Sequence, residues 1–388
     1  MTSIPLALAN PDHTFRQGSK ATLRNYLIEE SDALCSPPED ADWFIDGMAT
    51  VLAVKVAETW EEFGSKFLKH CKPEGKVNRL FIIFDSYNDS SIKQMTQLGR
   101  GKPGRNVYIT NLKQNMPTPS DWPSFLRNSY NKTQLIKALV LHFKSIDVRK
   151  NLKYELIVTE EEKTWKISRN SIVEPESSNH VEADTRIIME ALKSEGPVIV
   201  KAADTDILVL MCYAHTKENQ TNEWMMQIDS ERFVDIKAIQ IKFGQDVCRV
   251  LPSYHSITGC DTTSYPANVG KIKPLKKMIK HDKVTLLENF GSQCGDEDAI
   301  ANGIKFLQTM MYPGKDKETI NEIRSKMYSK QKKKSSCNII PDHSSAMEHV
   351  KRAELQTYIW KQIKEQNIEI PPLQGKGWKV EDGLITPV

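Results

Sequence analysis

The chain alternates short apolar runs with longer segments in which apolar residues recur at helical spacing. Runs of about four to eight residues bounded by polar or turn-forming residues are typical of buried strands. Such runs are "DWFID" (42–46), "RLFIIFD" (79–85), "YELIVT" (154–159), "TWKIS" (164–168) and "PVIVKA" (197–202). We therefore predict β-strands at these places.

Three longer segments carry the helical pattern. "MATVLAVKVAETWEEFGSKFLKHC" (48–71) follows the first strand, and "VEADTRIIMEALKSEG" (181–196) is closed by Gly196. In "NKTQLIKALVLHFKSI" (131–146), the apolar residues that share one helical face are Leu135, Leu139, Val140, Phe143 and Ile146. Strands that alternate with helices predict an α/β fold, a three-layer, Rossmann-like domain whose mainly parallel central sheet has helices on both faces.

The composition is that of a globular protein of moderate charge. Of 388 residues, 39% are hydrophobic and the formal net charge is +3, so any surface that binds nucleic acid must be local. "MTSIPLALAN" lacks the basic start of a signal peptide, and no stretch approaches the roughly 18 apolar residues of a membrane span. The cysteines form no CxxC pair, which argues against disulfides and a zinc site. We predict an intracellular protein with no membrane partner.

The second half of the chain contains two basic segments. "GKIKPLKKMIKHDK" (270–283) is rich in lysine. "SKQKKKSS" (329–336) is either a nuclear localisation signal or a loop without a specific function. We expect a nuclear rather than a cytoplasmic location. The predicted organisation is an N-terminal extension that is either a poorly ordered lead-in or helical, an α/β domain, a basic helical region and a helical C-terminal tail, with boundaries at 1–40, 41–265, 266–335 and 336–388.

Acidic residues stand at strand ends and helix starts. They are Asp46, Asp85, Glu182, Asp184, Asp204, Asp206 and Asp261. Because sites in parallel sheets lie at the carboxyl ends of the strands, we expect these side chains to converge. Converging carboxylates repel one another unless cations neutralise them, and Mg²⁺ and Mn²⁺ prefer such oxygen ligands. Since two such ions can hydrolyse a phosphodiester without a covalent protein nucleophile, we predict a two-ion Mg²⁺ or Mn²⁺ site built from all of these acids.

Each acidic residue also has a plain structural interpretation. Asp204 and Asp206 can form a strand-end turn in which Asp206 caps the helix that follows, and Asp46 can belong to a turn. Asp85 stands among capping residues, and Asp261 can cap the segment after "GC". Glu182 and Asp184 suit the first turn of a helix. The metal site is the preferred interpretation because these coincidences would have to occur together and in one order.

Three basic residues flank the acidic blocks. His180 and His255 are expected to support the site or lie on the surface rather than to bind metal. Arg186 either orients a carboxylate or faces solvent. None of the three is predicted to be catalytic.

The order of the acidic blocks carries a resemblance to a known family. The aspartates after the first two strands, "HVEADTR" (180–186), "DTD" (204–206) and "TGCD" (258–261) resemble the flap endonuclease/XPG-type 5′-nuclease branch of the PIN-like nuclease superfamily, over about residues 42–280. The whole chain is also similar to a group of uncharacterised animal proteins of this superfamily, often of mobile-element character, that share these motifs and a "RAELQTYIW…GKGW"-like tail. The resemblance implies that residues 41–265 form a PIN-like catalytic domain.

The resemblance also implies roles for the matched residues. The ion nearer the scissile phosphate would be held by Asp46, Asp85, Glu182 and Asp184, and the second ion by Asp204, Asp206 and Asp261. Lys93 and Arg100 are the candidates for steering the phosphate. "PANVGKIKPLKKM" (266–278) loosely resembles the family's helix-hairpin-helix, which implies phosphate contacts from Lys271, Lys273, Lys276 and Lys277.

These observations lead to one preferred function and two alternatives. We expect a Mg²⁺- or Mn²⁺-dependent nuclease that hydrolyses phosphodiester bonds of DNA or RNA. The first alternative is a protein of the same fold that binds nucleic acid or acts as a scaffold without efficient hydrolysis. The second is an enzyme that acts on small phosphoesters, for which the lysines of the basic segment would be unimportant.

Overall fold

The computed structural model describes residues 4–73, 76–87, 109, 112–174, 177–331, 336–381 and 384–388. Lys93, Arg100 and part of the basic segment 329–336 lie outside these ranges. The strands are β1 (Leu34–Cys35), β2 (Asp40–Asp46), β3 (Lys76–Ile83), β4 (Glu155–Glu160), β5 (Lys163–Ile167), β6 (Ile172–Val173), β7 (Val198–Lys201), β8 (Trp224–Gln227), β9 (Phe233–Asp235), β10 (Trp378–Glu381) and β11 (Leu384–Pro387).

One mixed sheet organises the molecule. In the described ranges its strand order is β1-β9-β8-β7-β2-β3-β4-β5-β6, and β10 and β11 form a separate two-stranded sheet. The central strands β8, β7, β2, β3 and β4 run parallel to one another, while antiparallel strands extend the sheet beyond β8 and beyond β4. The predicted α/β class with a parallel centre is therefore confirmed.

Fourteen α-helices lie in the described part of the chain. They are α1 (Ala21–Ser31), α2 (Gly47–Ala53), α3 (Trp60–Cys71), α4 (Trp122–Arg127), α5 (Ser129–Lys144), α6 (Ile146–Lys150), α7 (Ala183–Ala191), α8 (Thr205–Lys217), α9 (Ile236–Phe243), α10 (Gln245–Ile257), α11 (Ile272–Lys280), α12 (Glu297–Phe306), α13 (Ile320–Lys330) and α14 (His343–Lys361). No helix in the described part of the chain is long and apolar enough to cross a membrane.

Alternate residues of the central strands pack on opposite faces of the sheet, as the pleat of a strand requires. Phe44 of β2 and Phe81 of β3 stack with ring centroids 4.2 Å apart, in a core shared with α1, α7, α8, α9 and α10. Trp43 and Ile45 of β2 belong to a second core, shared with α2, α3, α4 and α5. Helices thus cover both faces of the sheet.

The elements at both ends of the chain join the first of these cores. Leu23 and Leu27 of α1 and Val350 and Trp360 of α14 are buried in the same cluster as the strands. Helix α14 packs along α10. The chain ends are therefore close enough to the sheet to contribute residues to a site at its edge.

Two predicted helices end earlier than their sequence patterns suggest. The segment after β2 forms two helices, because Val54 adopts an extended conformation (φ −79°, ψ 130°) and Thr59 then caps α3 by accepting a hydrogen bond from the Glu62 amide. Helix α7 ends at Ala191 rather than at Gly196, which lies in the turn before β7. Ile146 lies outside α5 and is 60% exposed, since Ser145 is extended and caps α6.

Arg186 differs from both of its predicted roles, because it neither contacts a carboxylate nor faces solvent. Its side chain is 0% exposed and donates hydrogen bonds to the backbone carbonyls of Glu161, Glu162 and Lys163 and to the Thr164 hydroxyl. These acceptors lie in the hairpin between β4 and β5. Arg186 therefore ties this hairpin to α7.

Candidate metal centre

Three of the predicted acids follow adjacent parallel strands. Asp46 is the last residue of β2, Asp85 comes two residues after β3, and Asp204 comes three residues after β7. The sheet order β7-β2-β3 and the parallel register place all three at one edge of the sheet. This is the edge at which parallel α/β folds place their sites.

Asp204, Asp206 and Asp261 form a compact carboxylate cluster. Their side chains offer oxygens that all lie within 4.8 Å of one another. Asp204 caps α8 by accepting a hydrogen bond from the Asp206 amide at 3.0 Å, so the capping residue is Asp204 rather than Asp206. Asp261 enters from the loop after α10. Three clustered carboxylates are the donor set of a hard cation, so the cluster can hold a metal ion.

A lysine from the N-terminal segment lies among these carboxylates. The Lys20 Nζ is 2.8 Å from Asp204 Oδ1, 3.1 Å from Asp206 Oδ2 and 3.1 Å from Asp261 Oδ2. The Lys20 side chain is 23% exposed. No sequence motif pointed to a role for this residue. One signal was present, because Lys20 stands three and seven residues before the buried Leu23 and Leu27 and so shares their helical side.

A second lysine supports the cluster through a histidine. His255, which is 0% exposed, hydrogen-bonds through Nε2 to Asp206 Oδ1 at 2.7 Å. The Lys271 Nζ lies 3.1 Å from His255 Nδ1 and 2.7 Å from the Thr258 hydroxyl. Because the ionised Asp206 carboxylate only accepts, Nε2 donates to it, and Nδ1 of the neutral ring accepts the hydrogen bond of Lys271. His255 therefore supports the site from behind, which is one of its two predicted positions.

The charges of this network follow from burial and pairing. Burial opposes the charge of Lys20, but Asp206, Asp204 and Asp261 outweigh it and raise the Lys20 pKa. Burial also opposes ionisation of Asp206, yet the His255 hydrogen bond and the Lys20 charge lower its pKa. Burial and the neighbouring charge of Asp206 raise the pKa of Asp204. Lys20 is thus the cation that keeps the Asp206 carboxylate ionised.

The two residues behind the cluster are shifted in the other direction. Burial and the charge of Lys271 lower the pKa of His255 to about 4, which makes the imidazole neutral at pH 7. Burial lowers the pKa of Lys271 to about 7. Neither residue adds a full fixed positive charge to the cluster at neutral pH.

The remaining predicted acids lie outside this cluster in the described part of the chain. Asp46 caps α2 by accepting hydrogen bonds from the amides of Met48 and Ala49. Asp85 Oδ1 accepts a hydrogen bond from the Ala183 amide at 2.8 Å, so a residue that follows β3 caps α7. Capping is therefore a real role of both aspartates; the plain interpretation allowed it for Asp85, whereas Asp46 caps a helix rather than only forming a turn.

The acidic pair of α7 is held at the same edge by Asp85. Glu182 occupies the N-cap position of α7, and Asp184 lies in its first turn and is 4% exposed. The Ser86 amide also donates a hydrogen bond to the Val181 carbonyl at 2.8 Å.

His180 is buried between the Thr185 hydroxyl and the Glu365 carbonyl and hydrogen-bonds to both, so its position is structural.

One of the predicted contacts with nucleic acid is contradicted by the structure, and the others stay predictions. Lys271 is 3% exposed and its ammonium is consumed by internal hydrogen bonds, so its prediction as a phosphate contact is wrong. Its position had a signal, since Lys271 precedes the buried Leu275 and Met278 by four and seven residues. Lys273 and Lys276 are exposed, and Lys277 donates to the Thr309 carbonyl. Lys93 and Arg100 lie outside the described residues.

A cleft opens beside the acidic edge of the sheet. It has a volume of about 690 Å³ and is lined by Asp46, Ala203, Lys69, Lys72 and Lys201, among other residues. Ala203 directly precedes the first aspartate of the carboxylate cluster. A ligand in this cleft would contact Asp46 and would meet lysine side chains together with the acidic Glu39 and Asp229.

The geometry, rather than a relative, provides the functional argument for this protein. Asp204 and Asp206 meet Asp261 across more than 50 residues of sequence, at the sheet edge that the parallel topology favours. Comparisons of the chain with profiles of known protein families, with curated proteins and with solved structures each found no match.

Proposed function

We propose that the protein is a Mg²⁺- or Mn²⁺-dependent nuclease that hydrolyses phosphodiester bonds of DNA or RNA. One observation carries this proposal: Asp204, Asp206 and Asp261 converge at the carboxyl edge of a parallel sheet. A divalent ion on these carboxylates supplies charge stabilisation for a phosphoryl oxygen and lowers the pKa of a bound water. The proposed location is the nucleus.

The other acids fit the proposal as a second group at the same edge. Asp46 and Asp85 follow the two strands next to β7 in the sheet, and Asp85 fixes the start of the helix that carries Asp184. We propose that this group and Glu182 hold a second ion. The helix caps and strand ends hold these carboxylates in place before a metal ion binds. We therefore expect the carboxylate side chains to move little when the ion binds.

The cleft supports a polyanionic substrate. Lys69, Lys72 and Lys201 line it beside Asp46. Lysines bind phosphates as point charges, largely without regard to base sequence. A nucleic-acid backbone placed along the cleft would bring a phosphate to the acidic edge, which is the arrangement that hydrolysis requires.

Replacing Asp204 by asparagine is expected to slow cleavage at least about tenfold, since losing one anionic ligand weakens the hold on a divalent ion. Asparagine can still cap α8, so the fold should be retained. The assay follows labelled single-stranded, duplex and flap DNA and single-stranded RNA with Mn²⁺, in comparison with EDTA.

The matched control is Asp246→Asn, because the Asp246 side chain is 85% exposed on another helix. Its cleavage rate should equal that of the wild type. Cleavage that survives Asp204→Asn unchanged would exclude this cluster as the source of the activity. Absence of cleavage on every substrate, in Mg²⁺ and in Mn²⁺, would contradict the nuclease proposal itself.

The exposed lysines of α11 provide a second prediction. Replacing Lys273 and Lys276 by glutamine should weaken binding to duplex DNA. It should also reduce the slope of log K against log salt concentration by about one to two, because each phosphate contact contributes roughly 0.9 to that slope. Binding is measured by fluorescence anisotropy between 50 and 200 mM salt, a range of about fourfold over which the effect is large.

The control for this experiment is the double variant Lys55→Gln/Lys66→Gln, which changes the same charge on exposed residues near α2 and α3. Equal slopes for both double variants would show that α11 makes no specific phosphate contact. A slope that falls only in the α11 variant supports a polymeric substrate over a small phosphoester.

A second candidate function is nucleic-acid binding without hydrolysis. The position of Lys20 favours it, because an ammonium group at 2.8 to 3.1 Å from three carboxylates balances part of their charge without any metal. This candidate predicts binding to the substrates above with no cleavage in any divalent ion.

A further inference from the structure

The Lys20 contact joins a residue of the N-terminal segment to acids that are 184 to 241 positions away in the chain. We infer that Lys20 is a functional member of this centre: its ammonium is the resident counter-ion of Asp204, Asp206 and Asp261, and it competes with a divalent cation for their oxygens. The inference rests on the proposed function only in taking a divalent ion as the competitor.

The fold holds Lys20 in this place from its N-terminal side. The Tyr265 amide donates to the Arg16 carbonyl at 3.1 Å, and the Ala267 amide donates to the Ala7 carbonyl at 2.8 Å. These bonds dock residues 7–16 on the loop that follows Asp261. The segment that carries Lys20 and the loop that carries Asp261 are thus fixed to each other.

Two glycines allow this docking to be close. A Cβ atom on Gly18 would lie 2.2 Å from the Tyr265 ring, and a Cβ on Gly259 would lie 2.7 Å from the same ring. Gly259 also has a φ of +107°, which side-chain-bearing residues rarely adopt. The Tyr265 ring is therefore enclosed by two glycine backbones, one beside Lys20 and one beside Asp261.

On its C-terminal side, Lys20 is anchored by the helix that it precedes. Leu23 and Leu27 of α1 are 0% exposed in the main core. Arg24 donates to the Ala203 carbonyl, directly before Asp204. Contacts on the N-terminal and C-terminal sides of Lys20 therefore hold its backbone against the carboxylate cluster.

The charges explain why the ammonium and a divalent ion compete. Three carboxylates face the ammonium group of Lys20. Lys20 uses an oxygen of each of the three aspartates. A cation that binds the same oxygens would meet a positive charge at close range in a partly buried site, where screening is weak.

The test measures Mn²⁺ binding by titration calorimetry on the full chain. Lys20→Met keeps the length of the side chain and removes its charge, so Mn²⁺ should bind at least tenfold more tightly than to the wild type. Lys20→Arg keeps the charge and should bind Mn²⁺ as the wild type does. Lys364→Met is the matched control and should bind Mn²⁺ as the wild type does, because Lys364 also pairs with a distant carboxylate, Glu218 at 2.7 Å, at the opposite end of α8 from Asp204.

Thermal unfolding gives a readout that does not depend on binding heat. In EDTA, Lys20→Met should unfold at a lower temperature than the wild type, because its carboxylates lack their counter-ion. Added Mn²⁺ should raise the unfolding temperature of Lys20→Met more than that of the wild type. A Lys20→Met protein that is as stable as the wild type in EDTA contradicts the inference.

The outcomes separate this inference from the proposed nuclease function. Equal Mn²⁺ affinity of the wild type and Lys20→Met overturns the inference and leaves the nuclease proposal standing. Tight binding by Lys20→Met alone, with no cleavage by the wild type, supports the inference and counts against the nuclease proposal. Failure of every variant to take up Mn²⁺ overturns both.

Discussion

Replacing Arg186 by methionine is expected to lower the free energy of unfolding by about 3 to 5 kcal/mol, because its buried guanidinium makes several hydrogen bonds and each hydrogen bond from a charged group contributes roughly 1.5–3 kcal/mol. Arg186 Nη2 donates to the Glu162 carbonyl at 2.8 Å, the Lys163 carbonyl at 3.0 Å and the Thr164 hydroxyl at 3.0 Å. Nη1 donates to the Glu161 carbonyl. The methionine side chain can replace none of these bonds.

One opposing effect must be weighed against this loss. Burial lowers the pKa of Arg186 to about 10, so burying its charge costs free energy that methionine would recover. The acceptors, however, are neutral backbone groups in a hairpin that has Glu161 at a φ of +53°. Because several hydrogen bonds from a charged group are lost at once, their loss should dominate and the variant should be less stable, although the Glu162 carbonyl keeps its hydrogen bond from the Ser178 amide.

Urea unfolding, followed by circular dichroism at pH 7, measures the effect. Arg186→Lys keeps the charge but lacks the planar fork, so its loss of stability should lie between those of wild type and Arg186→Met. Arg169→Met is the control, because Arg169 is exposed in the turn after β5. Equal stability of Arg186→Met and the wild type would contradict the structural role described above.

The sequence predicts the sheet and the convergence of its acids because both follow from local patterns. The apolar run before Asp204 marks a buried strand, and its direction places the aspartate at the carboxyl end. Parallel neighbours then bring Asp46 and Asp85 to the same edge. These inferences need no knowledge of contacts between distant segments beyond the layer architecture.

The two lysines of the site, Lys20 and Lys271, could not be predicted from local sequence patterns. Lys20 lies in a polar segment, and its partners are 184 or more residues away, so no local pattern names them. Lys271 stands among other lysines, and a run of charged residues generally forms a solvent-exposed face. Helical spacing nevertheless marks both, since each precedes buried leucines on its own helix by three or four positions. Burial on a helix face was therefore predictable, but the acceptors were not.

Capping explains why the acidic residues alone could not decide the function. Asp46 and Asp85 each satisfy helix amides, and Asp204 does so as well. A capping carboxylate binds through one oxygen and can still contribute to a cation site, so the two interpretations are compatible. What separates Asp204 from an ordinary cap is its proximity to two further carboxylates and one ammonium group.

A buried glutamate of the long C-terminal helix leads to a prediction about pH. Glu354 of α14 is 0% exposed, and Oε1 accepts a hydrogen bond from the Gly295 amide at 3.0 Å. Burial raises the pKa of Glu354 to about 7, above its ordinary value of 4.5. Between these two values the native protein keeps a proton that the unfolded chain releases. Stability should therefore fall as the pH rises from about 4.5 to about 7.

Glu354→Gln removes this component, because glutamine does not ionise and its amide oxygen can still accept the Gly295 hydrogen bond. The stability of the variant relative to the wild type should rise by about 2 to 3 kcal/mol between pH 5 and pH 8, since one pKa unit corresponds to about 1.4 kcal/mol. Urea unfolding at the two pH values measures it, with the exposed Glu365→Gln as the control for the substitution itself. Parallel stability curves for Glu354→Gln and the wild type would show that Glu354 is ionised in the native protein at both pH values. Burial would then be offset by cations near the carboxyl group, of which Lys376 and Lys361 are the candidates.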